Sequence, residues 1–321
     1  MPIADLTVIR LHYLQLPCQN DPEPPPGGDL VLVHGLAANL GFWHLPIVRP
    51  LSHLCRLTLY DLRGHGRSEM PARGYSPLIM ATDLARLLDY LALERVHLLA
   101  HSFGGAVAMA FAALWPERVR SLILADVRVR AIQPQHRLRD WPHWPHWRPL
   151  FERAGVLLDD ESPESGYELL VEMARSHVHN PVADLHLPRL FSMTASGARR
   201  NGVAQRWLQL QEATSIRQEF LANDGLTPAR LAMLHQPILG LYGAHSPALP
   251  SGRALRRLCP NYRMRLIPNA GHFFPLTKPL RMVRPSLRFL AAQAGLPPAT
   301  VDLPDLLPRD HTESPLSLAT F

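Results

Sequence analysis

Residues 98–108 read LLAHSFGGAVA, an apolar run that reaches His101-Ser102 and passes at once into a small-residue helical pattern. A buried strand turning this sharply into a helix lifts the side chain at the turn above the sheet edge. Strand and helix nearly touch there, so the flanking residues must be small. Ala100 and Gly104 meet that need, giving A-x-S-x-G around Ser102. The simpler alternative is a serine capping an ordinary helix N-terminus. A serine hydroxyl is feeble at neutral pH and needs an adjacent base to take its proton. An imidazole suits that task, but the chain has 17 histidines and residue type alone does not choose among them.

Other chemistries find less support. His143 and His146 are three apart and His177 and His179 two apart, without carboxylate partners or a His-Glu-x-x-His helix, so no metal site is expected. Cys18, Cys55 and Cys259 lack ligand or disulfide-scaffold spacing. Gly64-His65-Gly66 is too sparse for a phosphate loop, and no cofactor is expected. Thirty-three basic residues, of which only Lys278 is a lysine, against 27 acidic ones give a net charge of +6. The arginines are scattered, with no block of like charge, which argues against nucleic-acid binding and leaves an acidic partner such as an acyl carrier protein open. No apolar run reaches the ~18 residues a membrane span needs, and the N-terminus lacks signal-peptide form, so the expected compartment is the cytoplasm.

The elements that must position Ser102 follow from periodicity. Residues 6–16 alternate well enough for an early strand, and residues 21–28 (DPEPPPGG) form a proline–glycine loop. Residues 29–34, 56–60, 95–100 and 119–125 read as short buried strands. The spacing predicts helices over 76–93, 104–115 and 279–294, and further strands over 237–243 and 262–267. Between residues 128 and 226 the pattern is helical and polar, with no convincing strand. The expectation is an α/β core from residues 1–127 and 227–295, a helical cap over 128–226 inserted after the sixth strand, and a loosely held tail over 296–321.

Three further segments, with the serine turn, carry a resemblance. LVLVHGLAAN (30–39) resembles the His-Gly loop after the third strand of the α/β-hydrolase superfamily. DLRGHGRS (61–68) resembles its D-x-R-G-x-G-x-S loop, and PNAGHFFPLTKP (268–279) resembles the loop bearing its catalytic histidine. The resemblance covers about residues 30–127 and 237–290. It implies the α/β-hydrolase fold, a mainly parallel sheet flanked by helices, with Ser102 as nucleophile and His272 as base. The backbone N–H groups of Leu36 and Phe103 would form the oxyanion hole, and His34 would brace its loop. The family's usual acid after the strand at 237–243 is missing, since Ser246 stands in its place. In some members the acid ends the preceding strand, where this chain has Asp126; Asp224 is a third candidate, resembling a turn or cap.

A serine at the turn, where haloalkane dehalogenases and epoxide hydrolases carry aspartate, implies acyl transfer by a serine hydrolase. The expected substrate is a small to medium apolar carboxylester or thioester, cleaved through an acyl-enzyme. Acyl transfer or cyclisation from a carrier-bound chain, and ligand binding without catalysis, are the competing readings. Trp141, Trp144 and Trp147, at three-residue spacing in the expected cap, read either as an aromatic wall for the acyl chain or as packing anchors.

Overall fold

The computed structural model describes residues 2–19, 24–179, 200–222 and 225–297. Successive residues of a strand point to opposite faces, and in the central strands both faces are apolar. In β3 (Asp29–Val33), Val31 and Val33 enter one core while Leu30 and Leu32 enter the other. In β5 (Val96–His101), Leu98 and Ala100 oppose Leu99, and in β6 (Val119–Ala125), Leu122 and Leu124 oppose Ile123 and Ala125. Such strands must be covered on both sides.

Eight described strands make one sheet in the order β1-β2-β4-β3-β5-β6-β7-β8. The others are β1 (Ile3–Asp5), β2 (Arg10–Leu16), β4 (Arg56–Tyr60), β7 (Ile238–Gly243) and β8 (Tyr262–Ile267). Pairing is parallel from β4 through β8 and antiparallel at β1·β2 and β2·β4. The single strand expected over residues 6–16 is instead the turn and second arm of a hairpin. Thr7 adopts a φ of 69°, and the Leu6 N–H donates to the Ile9 carbonyl at 3.0 Å. Leu6 and Ile9 are both buried, so the apolar pattern runs through the turn without marking it.

Helices α2 (Pro77–Tyr90) and α3 (Phe103–Leu114) fill one core. Helices α1 (Leu45–Leu51) and α11 (Pro279–Gln293) fill the other, with the short α10 (Phe274–Thr277) leading into the last. Between β6 and β7 the described residues hold helices and loops and no strand, the helices being α4 (Trp144–Arg153), α5 (Ser165–His179), α6 (Arg200–Ala213), α7 (Ile216–Leu221) and α8 (Pro228–Ala232). Helix α9 (Leu249–Leu258) joins β7 to β8; its many arginines hid it from the apolar pattern. Asp224, part of the 21–28 loop and most of the expected tail lie outside the described residues. No described helix is long and apolar enough to cross a membrane.

Candidate active site

Ser102 joins the end of β5 to the start of α3 with φ 53° and ψ −126°, a region non-glycine residues rarely visit and that costs on the order of 1–3 kcal/mol. The surroundings hold it there. Its N–H donates to the Ala125 carbonyl at 3.1 Å, and its carbonyl accepts from the Gly105 N–H at 2.9 Å. A Cβ on Gly104 would collide with the carbonyl oxygens of Val33 and His34, so glycine is what lets α3 approach β3. The turn is a strained post rather than a simple cap, and the Ser102 side chain makes no capping hydrogen bond.

His272 lies between β8 and α10. Its Nε2 is 3.0 Å from Ser102 Oγ and its Nδ1 is 2.7 Å from Asp126 Oδ2. With a carboxylate as partner, Nδ1 carries the proton and Nε2 accepts from the serine hydroxyl. Asp126 follows β6 at a φ of 55° and is wholly buried. Its Oδ1 accepts the Gly243 N–H at 2.9 Å, and its Oδ2 accepts the Ser246 hydroxyl as well as the imidazole. The two positions weighed as the acid therefore meet. Asp126 touches the imidazole, and Ser246, at the customary post, hydrogen-bonds to that carboxylate.

Leu36 and Phe103 both line the cavity in front of Ser102. Phe103 is the first residue of α3, so its N–H has no acceptor within the helix. Leu36 follows Gly35, where a Cβ would sit 3.0 Å from Ser102 Cβ. The loop is fixed from behind. His34 Nδ1 donates to the Gly35 carbonyl at 2.7 Å and Nε2 accepts the Leu62 N–H at 3.1 Å. Asp61 Oδ1 accepts the Leu40 N–H at 2.7 Å, while Oδ2 takes His12 Nδ1 at 2.6 Å and the Arg67 N–H at 2.8 Å. Burial by itself would raise the Asp61 pKa; the hydrogen bonds and nearby His34 bring it below the usual carboxylate range. The D-x-R-G loop is thus a brace for the Leu36 loop.

Sequence reasoning missed His101. Its Nε2 donates to the His272 carbonyl at 3.0 Å, and its ring stacks on Phe42 with centroids 4.7 Å apart. Burial holds its pKa well below the ordinary histidine value, so the ring is a neutral strut. Its position beside the serine was the sole signal. The cavity wall also includes Phe42, Trp141, Tyr167, Leu169, Leu170, Phe220 and Phe273. Of the tryptophan row, Trp141 lines the cavity. Trp144 stacks on Phe151 and donates Nε1–H to Asp160 at 2.8 Å, and Trp147 is buried in the core; neither lines the cavity. Trp141 stands in extended backbone before α4, which begins at Trp144, so the three rings do not form one helical row.

A family model described as alpha/beta hydrolase fold matches residues 30–279. The chain is similar to the predicted carbamate hydrolase RutD of Azorhizobium caulinodans, 37% identical over 105 residues covering 33% of this chain and 39% of that protein. Matches to the first curated relatives span well under half of those proteins' lengths. Among solved structures, a thermophilic esterase from Thermogutta terrifontis is 26% identical with a TM-score of 0.55, covering 89% of this chain and 94% of that one. The enol-lactonase from Burkholderia xenovorans LB400 is 21% identical with a TM-score of 0.64, covering 90% and 100%, a likeness of fold.

Proposed function

The chain belongs to the α/β-hydrolase family, and from that premise we propose that it is a serine hydrolase that cleaves a small to medium carboxylester or thioester through an acyl-enzyme. The observation that carries this reading is the unbroken line of hydrogen bonds from Ser102 Oγ through His272 to the buried Asp126, opening on a largely apolar cavity. His272 Nε2 takes the hydroxyl proton as Oγ attacks the carbonyl carbon. Asp126 keeps the imidazole in the reactive tautomer and stabilises the imidazolium, which a neutral hydroxyl at Ser246 could not do alone. The N–H groups of Leu36 and Phe103 stabilise the oxyanion. His272 then protonates the leaving alcohol or thiol, and water repeats the sequence on the acyl-enzyme. In this reading the helices between β6 and β7 are the cap, roofing the cavity with Trp141, Tyr167 and Phe220 and setting which acyl chains enter.

A fluorophosphonate probe tests the reading. Covalent labelling of the folded wild-type protein, lost in Ser102→Ala together with ester hydrolysis, is the expected result. Folded protein that takes no label and turns over no ester overturns it.

A further inference from the structure

Arg206 belongs to α6, one of the helices between β6 and β7, yet its described backbone partners lie on the sheet side, in the loop over residues 61–68. Its Nε–H donates to the Gly64 carbonyl at 3.1 Å and its Nη2 to the Ser68 carbonyl at 2.7 Å. Gly64 and Ser68 are buried, and neither carbonyl has another described protein donor. Apolar side chains of α6 press on the same loop. A Cβ on Gly64 would sit 2.5 Å from Leu210 Cδ1, and the ring centroids of Trp207 and His65 are 6.0 Å apart. Gly64 has a φ of 76°, so this close approach is made where glycine costs no strain.

From that loop two hydrogen-bonded routes reach the segment carrying Leu36. Asp61 accepts the Leu40 N–H at 2.7 Å on one side. On the other, the Leu62 N–H donates to His34 Nε2 at 3.1 Å, and His34 Nδ1 holds the Gly35 carbonyl at 2.7 Å. Ser68 Oγ ties the far end of the loop back to the Asp61 carbonyl at 2.6 Å, and His65 meets His34 edge-on with centroids 5.4 Å apart. Leu36 is therefore held before and after, at Gly35 and at Leu40, by a loop that Arg206 pins from outside. A guanidinium suits that task, since its planar fork aims two charge-assisted hydrogen bonds at fixed angles. An oxyanion donor is effective only when it already points to where the charge develops. We infer that Arg206 is a positioning residue for the oxyanion hole, acting through residues 61–68 on the Leu36 N–H. The helices over the cavity then complete the reacting geometry as well as roofing it. This inference rests on the hydrolase reading above and adds to its machinery.

The test sets Arg206→Met, which keeps the aliphatic stem and removes both donors, beside Glu219→Gln. Glu219 ties the same helical segment to the N–H groups of Gly74, Tyr75 and Ser76, which have no described hydrogen bond to residues 35–40. Expressing kcat per serine labelled by the fluorophosphonate cancels any loss of folded enzyme. The substrate is p-nitrophenyl butyrate, and the probe of the hole is an alkyl trifluoromethyl ketone. Ser102 Oγ adds reversibly to its carbonyl carbon, the hydroxyl proton passes to His272, and the former carbonyl oxygen becomes the oxyanion. In Arg206→Met, kcat should fall about ten- to a hundredfold at nearly unchanged KM, the scale of a misplaced donor, and the ketone's inhibition constant should rise by a like factor. Glu219→Gln should leave both close to their wild-type values. Arg206→Lys, a point charge in place of a fork, should recover part of the rate. If Arg206→Met does not fold, Arg206→Gln, with one donor arm left, must show the same paired loss on a smaller scale. An unchanged kcat, a fall matched in Glu219→Gln, or a ketone bound as tightly as by the wild type overturns the proposal while leaving Ser102-dependent hydrolysis standing. If no ester is turned over and the fluorophosphonate leaves Ser102 unlabelled, the hydrolase reading falls, and the proposal with it.

Discussion

The sheet beneath Ser102 and the helices between β6 and β7 face one another across a single cavity, and they are constrained in different ways. On the sheet side the backbone itself is over-determined. Ala37, Ser102 and Asp126 sit at positive φ, Gly104 marks a place where chains pass too closely for a Cβ, and at Gly35 a Cβ would press on Ser102. On the helical side the wall is built of side chains such as Tyr167, Leu169 and Phe220, and the outer surface carries exposed pairs such as Arg217–Glu168 that contribute little to stability. A few polar hooks join the two, among them Glu219 accepting the N–H groups of Gly74, Tyr75 and Ser76, and Arg206 reaching the Gly64 and Ser68 carbonyls. Groups that must react need fixed positions, whereas a wall needs only shape and charge, so the same fold is rigid on one side of its cavity and permissive on the other.

If that contrast is sound, substitutions on the sheet side should dominate activity. Ser102→Ala is expected to lower kcat for a model ester by about a millionfold, the scale seen when a nucleophile is lost from such a constellation. Trp141→Phe, on the helical side, should change kcat/KM by no more than about tenfold, since one aromatic surface replaces another. Comparable losses from the two would erase the distinction. Within the sheet side, Asp126→Asn should cost about ten-thousandfold in kcat by favouring the wrong imidazole tautomer. Ser246→Ala, which removes one donor from a carboxylate that keeps the Gly243 N–H, should cost far less. Reversal of that order in steady-state kinetics would make Ser246, beyond the end of β7, the group on which His272 depends and refute Asp126 as the acid.

What could be read from the chain beforehand divides along the same line. Close approaches leave marks, because only glycine fits them: Gly104 two residues after Ser102, and Gly66, whose Cβ would strike Asp61. The buried strands were legible because both of their faces are apolar. The acid stayed ambiguous because Asp126 and Ser246, 120 residues apart, converge only when β6 and β7 pair. The service of His101 to the His272 loop and the reach of Arg206 to the Gly64 and Ser68 carbonyls are likewise tertiary, with no local pattern to announce them. The tryptophan row divides between its two readings, with Trp141 in the cavity wall and Trp144 and Trp147 in packing, a division set by tertiary contacts that spacing does not encode.

Buried imidazoles beneath the site make the sheet side sensitive to acid. Burial, with His34 and the Arg206 guanidinium nearby, pushes His65 down to about 3, whereas an unfolded histidine titrates near 6.5. Between those values the unfolded chain binds a proton that the native one does not. The stability contributed by keeping His65 neutral is therefore complete above about pH 6.5 and is lost as pH falls toward 3, by about 1.4 kcal/mol per unit. Melting temperatures measured from pH 7 to pH 4 should fall, and His65→Gln should flatten the profile. An equally steep profile in that variant would assign the acid sensitivity to other groups.

The smallest effects give the sharpest comparison, because one substitution is made at two helical glycines. Alanine is the better helix former by about 0.5–1 kcal/mol, so on propensity alone Gly104→Ala in α3 and Gly202→Ala in α6 should both stabilise. Gly202 has nothing within 4 Å of an added Cβ, and there the propensity gain should appear in full as a higher denaturant midpoint. At Gly104 the new methyl meets the carbonyl oxygens of Val33 and His34, backbone atoms of the central strand and the loop after it, which cannot swing aside as a side chain can. Forcing that contact should reverse the sign and destabilise by about 3 kcal/mol. It should also lower activity, because the displaced segment carries Leu36. Opposite signs at the two glycines, read from urea midpoints at constant m, would establish that packing against the sheet overrides helix propensity on one side of the cavity alone. Gains at both would mean that α3 can retreat from β3, and that Ser102 is less firmly held than its backbone angles require.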